Sequence, residues 1–263
     1  MLERIVATAP LFLLVAVRCY ALIRTTPLLS SSAVPGVAKI ALAGFAAYLV
    51  LPTVESYGQV IDSSSITYIF LLLGEGLIGV VTGFYITMIY AAFSSAGQFF
   101  SLQMGFSAAE SYDALSQVEN PLMGQYLNLV AMLVFLQVKG FQTLFVTGIT
   151  KSFTALNAYS LIAGRENLVA FMMKGLTDLF FDAMMISLPM VASLFLVTTS
   201  MGILSKAAPQ MNLLSEGLPI TILVSFFLLT QLIPVMTSYF GVLFERAFEK
   251  LGTLFTSFMA GSA

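Results

Sequence analysis

Three stretches of this chain, 76–109, 183–205 and 217–244, contain no charged residue at all. A helix needs roughly 20 mostly apolar residues to cross the hydrocarbon core of a bilayer. A helix on the surface of a soluble globule keeps a charged or polar face toward water, and these runs have little to offer as one. The rest of the chain agrees. Only 9 % of its 263 residues are charged and 59 % are hydrophobic, with a mean hydropathy of +0.96, whereas soluble domains carry about 25 % charged residues. The expectation is an all-α membrane protein.

What is missing narrows the chemistry. There is no histidine, so the usual proton shuttle and the commonest metal ligand are both absent. The single Cys19 allows neither an intramolecular disulfide nor a multi-thiolate metal site. No Walker-type loop, HExxH helix or nucleophile elbow occurs. The sequence therefore offers no catalytic, cofactor-binding or metal-binding residue. Its net charge of −2 gives no reason to expect nucleic acid as a partner.

Apolar segments fall at 5–23, 38–54, 66–100, 122–138, 141–157, 168–206 and 216–244. The start of the chain, with an acid at position 3 and then Pro10 and Arg18 within the first apolar segment, suits a structural helix better than a cleaved signal peptide. Segments 38–54 and 141–157 are short, while 66–100 and 168–206 exceed one simple crossing. Pro189, Pro219 and Pro234 each remove a backbone donor, so bent hairpins are expected. The ending "FERAFEKLGTLF" sets Phe244, Phe248, Leu251 and Phe255 along one face, which is either an amphipathic tail for a partner or a membrane surface or the polar end of the last span. Basic residues flanking 25–38 and 140–150 make those loops cytoplasmic under the positive-inside rule, and Glu55 and Asp62 make 55–65 external.

Arg18, Glu75, Asp178 and Asp182 lie in or beside apolar runs. Each would cost about 2.5–3.5 kcal/mol at mid-membrane on insertion scales, so none is expected to face lipid. Lys174, Asp178 and Asp182 share one helical face at i, i+4 and i+8, where Lys174 can partner Asp178. Three readings stay open for them: a helix start among lipid headgroups, a subunit contact, or a proton relay. In "GEGLIGVVTGF", Gly79 and Gly83 make a GxxxG step beside Glu75, a surface that lets helix backbones approach closely.

One stretch breaks the apolar pattern. "SLQMGFSAAESYDALSQVENP" (101–121) carries Glu110, Asp113 and Glu119 with no basic residue. Three acids argue against lipid contact, so the insert is either an exposed loop or the lining of a water-accessible space inside protein. As a lining it has a mechanical logic. Deformable Met104 and bulky Phe106 can close a passage and re-pack around varied cargo, and such constrictions exclude ions by dewetting.

"AGQFFSLQMGFSAAESYD" (96–113) followed by "NPLMGQYLNLVAMLVFLQVKG" (120–140) resembles the central signature of the FliR family. These are export-gate subunits of the flagellar type III secretion system, with relatives in virulence injectisomes. "MGILSKAAPQMNLLSEGLP" (201–219) is similar to that family's Ala-Pro-Gln-Met-Asn block. "VPGVAKIALAGFAAYLVLP" (34–52) and "GEGLIGVVTGF" (74–84) match less specifically. Two departures stand out: Asp113-Ala114 where the family often has Asp-Pro, and Gly140-Phe141-Gln142 where it often has histidine.

The resemblance implies a FliP-like part over 1–199 and a FliQ-like helical hairpin with an amphipathic tail over 200–263. It implies one copy of this chain among FliP- and FliQ-like subunits, with FlhA-like and FlhB-like components nearby, in the inner membrane at the flagellar basal body. Unfolded exported proteins would be the cargo. The insert would plug the pore at rest, through Gln103, Met104, Gly105, Phe106, Tyr112, Asp113 and Met123. Ala208, Pro209, Gln210, Met211 and Asn212 would pack between subunits, and Glu75, Gly79, Gly83, Lys174, Asp178 and Asp182 are read as further packing positions. The rivals are an injectisome subunit of the same architecture, a small-solute transporter using Lys174, Asp178 and Asp182 as a coupling site, and a membrane scaffold without a pore.

Overall fold

The computed structural model describes residues 2–55, 66–105, 122–156, 164–208 and 216–260. Among them all regular structure is helical: α1 (Leu2–Thr25), α2 (Pro27–Ser30), α3 (Gly36–Glu55), α4 (Ile66–Met104), α5 (Leu122–Gln137), α6 (Gly140–Thr143), a π-helical turn (Leu144–Lys151), α7 (Ser152–Ala155), α8 (Arg165–Ala207) and α9 (Leu218–Ala260). Five of these, α1, α3, α4, α8 and α9, are long and apolar enough to cross a membrane, so the chain is a multi-pass membrane protein. The stretch 122–138 gives only a 16-residue helix, about 24 Å long at 1.5 Å per residue, which falls short of the ~30 Å hydrocarbon core. After it Lys139 adopts the left-handed conformation, with φ of 55°, and the helix ends there.

The overlong segments prove continuous. α4 has 39 residues, and α8 and α9 have 43 each, so they run to about 60 Å, twice the thickness of a bilayer core. Pro189 and Pro234 lie inside α8 and α9 without ending them. The expected amphipathic tail is no separate element; it is the last third of α9, and its Phe244, Phe248, Leu251 and Phe255 are buried in the chain's own core. In the exposed apolar stretches, Ser and Thr hydroxyls return their protons to nearby carbonyls. Ser193 donates to Pro189 O at 2.8 Å, Ser200 to Leu196 O at 2.7 Å and Thr230 to Phe227 O at 2.7 Å. No hydroxyl of this set is left to face an apolar solvent unpaired.

The chain divides into two compact units. The first comprises Met1–Ile89, Lys139–Leu176 and Phe244–Ala263. Here α1 and the start of α4 run parallel: the Tyr68 hydroxyl donates to Pro10 O at 2.9 Å and, further along both helices, that of Thr87 donates to Thr25 O at 2.8 Å. α3 packs along α1, and Lys39 Nζ, buried, closes the end of α2 by donating to Ser30 O and Ser31 O at 2.9 Å each. Val15, Cys19, Ile23, Ile86, Leu144 and Ile149 fill this core with no exposed surface.

The second unit comprises Tyr90–Val138 and Thr177–Leu243. It pairs the C-terminal part of α8 with the N-terminal part of α9 antiparallel: Thr221 Oγ1 lies 3.6 Å from Met201 Sδ, and the Tyr239 hydroxyl 3.4 Å from Asp182 Oδ1. In the first unit Gly164, just before α8, stands against Phe258 near the end of α9. The boundary expected between residues 199 and 200 falls within α8 (Arg165–Ala207). Rings bind the second core together. Phe93 and Phe240 have centroids 4.3 Å apart and Tyr90 and Phe135 5.8 Å, and such pairs add about 0.5–1.5 kcal/mol beyond their buried area.

Candidate functional site

The insert is described at both of its feet, and both are tightly held. On α4, Ala96, Phe100 and Met104 are fully buried. On α5, Met123 and Gly124 are buried. The two helices touch backbone to backbone: a Cβ on Gly97 would come within 2.6 Å of Gly124 Cα and N and of Met123 O. Real Cβ atoms do not sit that close, so only glycine allows this crossing.

α4 then stops at Gly105, whose φ is +84° and whose N–H points to Leu102 O at 3.4 Å. This left-handed ending favours glycine, because a Cβ would clash with its own backbone. A Cβ here would also come within 2.7 Å of Leu218 Cδ2, at the start of α9. Of the positions expected in the plug, Gln103 is exposed, Met104 and Met123 are buried, and Gly105 forms the helix end. Phe106, Tyr112 and Asp113 lie outside the described residues.

A second constellation lies in the first unit. Arg18 and Glu75, both buried, form an ion pair. Arg18 Nε donates to Glu75 Oε2 at 2.6 Å, Nη2 to Leu156 O at 2.8 Å and Nη1 to Ser152 Oγ at 3.1 Å. The guanidinium also lies over the Phe153 ring, 3.8 Å from its centroid. Ser152 passes its own proton to Ile149 O at 2.7 Å, so its oxygen is free to accept from Arg18. One cation thus ties together α1, α4 and α7, with the flat, forked donor set that suits arginine over lysine.

The neighbouring glycines serve the same contact. A Cβ on Gly79 would lie 2.4 Å from Arg18 O, and one on Gly83 3.0 Å from Leu22 O. Glu75, Gly79 and Gly83 therefore have their close neighbours on α1 of the same chain. Lys174 is exposed, and Asp178 and Asp182 are half-buried on the same helix. Ala208 directly follows α8, its N–H donating to Leu204 O at 2.9 Å, while Pro209, Gln210, Met211 and Asn212 lie outside the described residues. Sequence reasoning marked Arg18 and Glu75 as costly charges without pairing them. It missed Ser152, Gly124 and Leu218, for which the sequence holds no signal beyond residue type.

The fold and these two constellations define a multi-pass, all-helical membrane protein whose helices are locked at a few close crossings. The chain matches the family described as bacterial export proteins, family 1, over residues 9–247. It is 33 % identical to the flagellar biosynthetic protein FliR of Bacillus subtilis, covering 96 % of this chain and 97 % of that one. It is 28 % identical to FliR of Escherichia coli, over 90 % of this chain and 89 % of the relative. The surface presentation of antigens protein SpaR of Shigella flexneri is 28 % identical over 69 % of this chain and 70 % of its own. The chain belongs to the FliR family of bacterial export proteins.

Proposed function

We propose that this chain is a non-enzymatic pore subunit of the flagellar type III protein export apparatus. A single copy joins FliP- and FliQ-like subunits, with FlhA- and FlhB-like components beside them, in the bacterial inner membrane at the flagellar basal body. The insert 101–121 plugs the channel at rest and yields to unfolded cargo. The observation that carries this reading is the end-to-end likeness to FliR of Bacillus subtilis, at 33 % identity over 256 residues. The footing of the insert supports its mechanical part. A segment that bears against traffic needs rigid anchors, and Met104, Gly97 and Gly124 supply buried ones. The FliQ-like hairpin is assigned to 200–263, and Lys174, Asp178, Asp182 and 208–212 to contacts between subunits.

The test has two steps. Affinity purification from gently solubilised membranes should recover FliP- and FliQ-like proteins with one copy of this chain; a chain that comes down alone overturns the assembly. Deleting 106–118 should then leave the complex assembled but leaky to small ions, and a tight deletion complex overturns the plug. The likeness to SpaR favours an injectisome subunit as the second reading, and the partners recovered decide between the two systems.

A further inference from the structure

Two outward surfaces of the first unit differ at one height. On α4, Ile66, Phe70, Leu73, Leu77, Val80 and Phe84 are exposed at spacings of four and three, so they form one stripe along the helix. Glu75 is the only charged residue between 66 and 104, and it is turned inward to Arg18. Gly76, Gly79 and Gly83 are turned inward as well, onto Val17, Arg18 and Thr25 of α1. Helices that pack on one another within a membrane do so through small residues. Here those are taken up by α1, and bulky apolar side chains are left along the outside. From Ile66 to Phe84 the stripe is about 27 Å long at 1.5 Å per residue, close to the ~30 Å hydrocarbon core of a bilayer. It then stops, for every residue from Tyr85 to Gly97 is buried or half-buried. Exposed Arg24 stands at that end, since the Thr87 hydroxyl donates to the carbonyl of its neighbour Thr25 at 2.8 Å.

The surface that α8 and α9 present at that height is of another kind. Leu168, Leu251 and Phe255 line a small apolar cleft together with Ile78 and Thr82 of α4, so they sit level with the stripe. Arg165, Glu166 and Asn167, just before Leu168, and Glu249, just before Leu251, are exposed there. Exposed charges are costly in hydrocarbon, and the stripe has none. We infer that the bilayer wets this unit on one side only. Its acyl chains lie along the α4 stripe from Ile66 to Phe84, with headgroups at the height of Arg24, and the α8–α9 side is turned away from lipid. The long α4 is thereby divided at Phe84. Its first half is the membrane crossing, while 85–97, enclosed by the chain itself, lies beyond the hydrocarbon core despite an equally apolar sequence.

The test uses the chain as isolated from membranes with the partners it retains, reconstituted into bilayers of phosphatidylethanolamine and phosphatidylglycerol. The chain has no tryptophan, so one introduced into it reads out as the difference from the unmodified complex. The quenchers are the same lipids brominated either near the chain ends or near the headgroups. Leu73→Trp should be quenched several-fold, and more by the deep bromines. Phe84→Trp should be quenched more by the shallow ones. Asn167→Trp, at the same height on α8, should keep its emission with both. A Leu73→Trp emission that neither lipid reduces, in a complex with its usual partners, means that another subunit covers the stripe and overturns the inference. Quenching of Asn167→Trp by the deep bromines overturns the one-sided contact. Stronger quenching of Phe84→Trp by deep than by shallow bromines overturns the boundary at Phe84. Should Leu73→Trp fail to assemble, Phe70→Trp exchanges one aromatic ring for another, and an emission unmoved by either lipid overturns the inference there too.

Discussion

The two ends of α4 solve one problem in different ways. Over 66–89 the helix lies against α1, with Gly79 and Gly83 admitting the neighbouring backbone, Glu75 paired to Arg18, and Thr87 donating to Thr25 O. Over 90–104 it meets α5 through Gly97 on Gly124, with Phe93 and Phe100 buried beside it. Close approach is common to both crossings, and at the first it is joined by directional polar contacts, from Arg18 to Glu75 and from Thr87 to Thr25 O. In an apolar surrounding burial alone favours no particular register, since lipid tails are as apolar as leucine. Register must come from hydrogen bonds or from shape. The first crossing joins glycines to a buried ion pair and the second joins glycine to ring fit, so they should fail differently when altered.

The largest effect is expected at the first. Glu75→Leu leaves the Arg18 guanidinium buried without its counter-charge, which typically costs 3–5 kcal/mol, or about that much here. Arg18→Met should do comparable harm by orphaning Glu75. The double variant Arg18→Met/Glu75→Leu removes both charges and keeps the volume, and buried pairs replaced in this way are often neutral or better. The unfolding midpoint of the detergent-solubilised complex should therefore fall sharply in each single variant and recover most of the loss in the double. A double variant as unstable as the singles would mean that the directional bonds to Ser152 and Leu156, rather than the charge balance, hold the crossing.

Ser152→Ala is a milder probe of that same network. It removes one hydrogen bond to a charged group, worth about 1.5–3 kcal/mol. The midpoint should drop by less than in the single-charge variants, because Arg18 keeps Glu75, Leu156 O and the Phe153 face. A drop as large as that of Glu75→Leu would make Ser152 the keystone of the π-helical segment rather than a contributor to it.

These two crossings also show what a sequence of this kind discloses. The membrane class and the helical fold follow from runs without charge, because lipid leaves few other structures open to them, whereas the unbroken length of α4, α8 and α9 did not, since prolines and overlong segments pointed to bent hairpins. Gly79, Gly83, Arg18 and Glu75 were each legible as odd residues in an apolar setting. Their mutual arrangement was not, because Arg18 and Glu75 are 57 positions apart and Ser152 is 134 from Arg18. A small residue or a charge looks the same in sequence whether its neighbour is the same chain or another subunit. The tail at 244–255 is a case of this: its apolar stripe fits a membrane surface as well as the chain's own core, where the structure puts it. The helix ends at Gly105, and nothing in the sequence could place Leu218 across from it.

The smallest effects separate shape from partner. Gly97→Ala puts a methyl group where the Gly124 backbone already stands, and overpacking of this kind costs about 1–3 kcal/mol. Gly44 on α3 is the counterpart with open space, since a Cβ there meets nothing within 4 Å. Gly44→Ala should be neutral or stabilising by about 0.5–1 kcal/mol in the purified chain, because alanine favours the helix. The informative measurement compares the purified chain with the assembled complex. Phe45, Tyr48 and Ile40 beside Gly44 are 61–68 % exposed, and lipid accepts an added methyl group there at no cost. A packed subunit does not. Gly44→Ala harmless in the chain but harmful in the complex would mark α3 as a subunit face held by the shape rule of Gly97; harmless in both, it would leave that face to lipid.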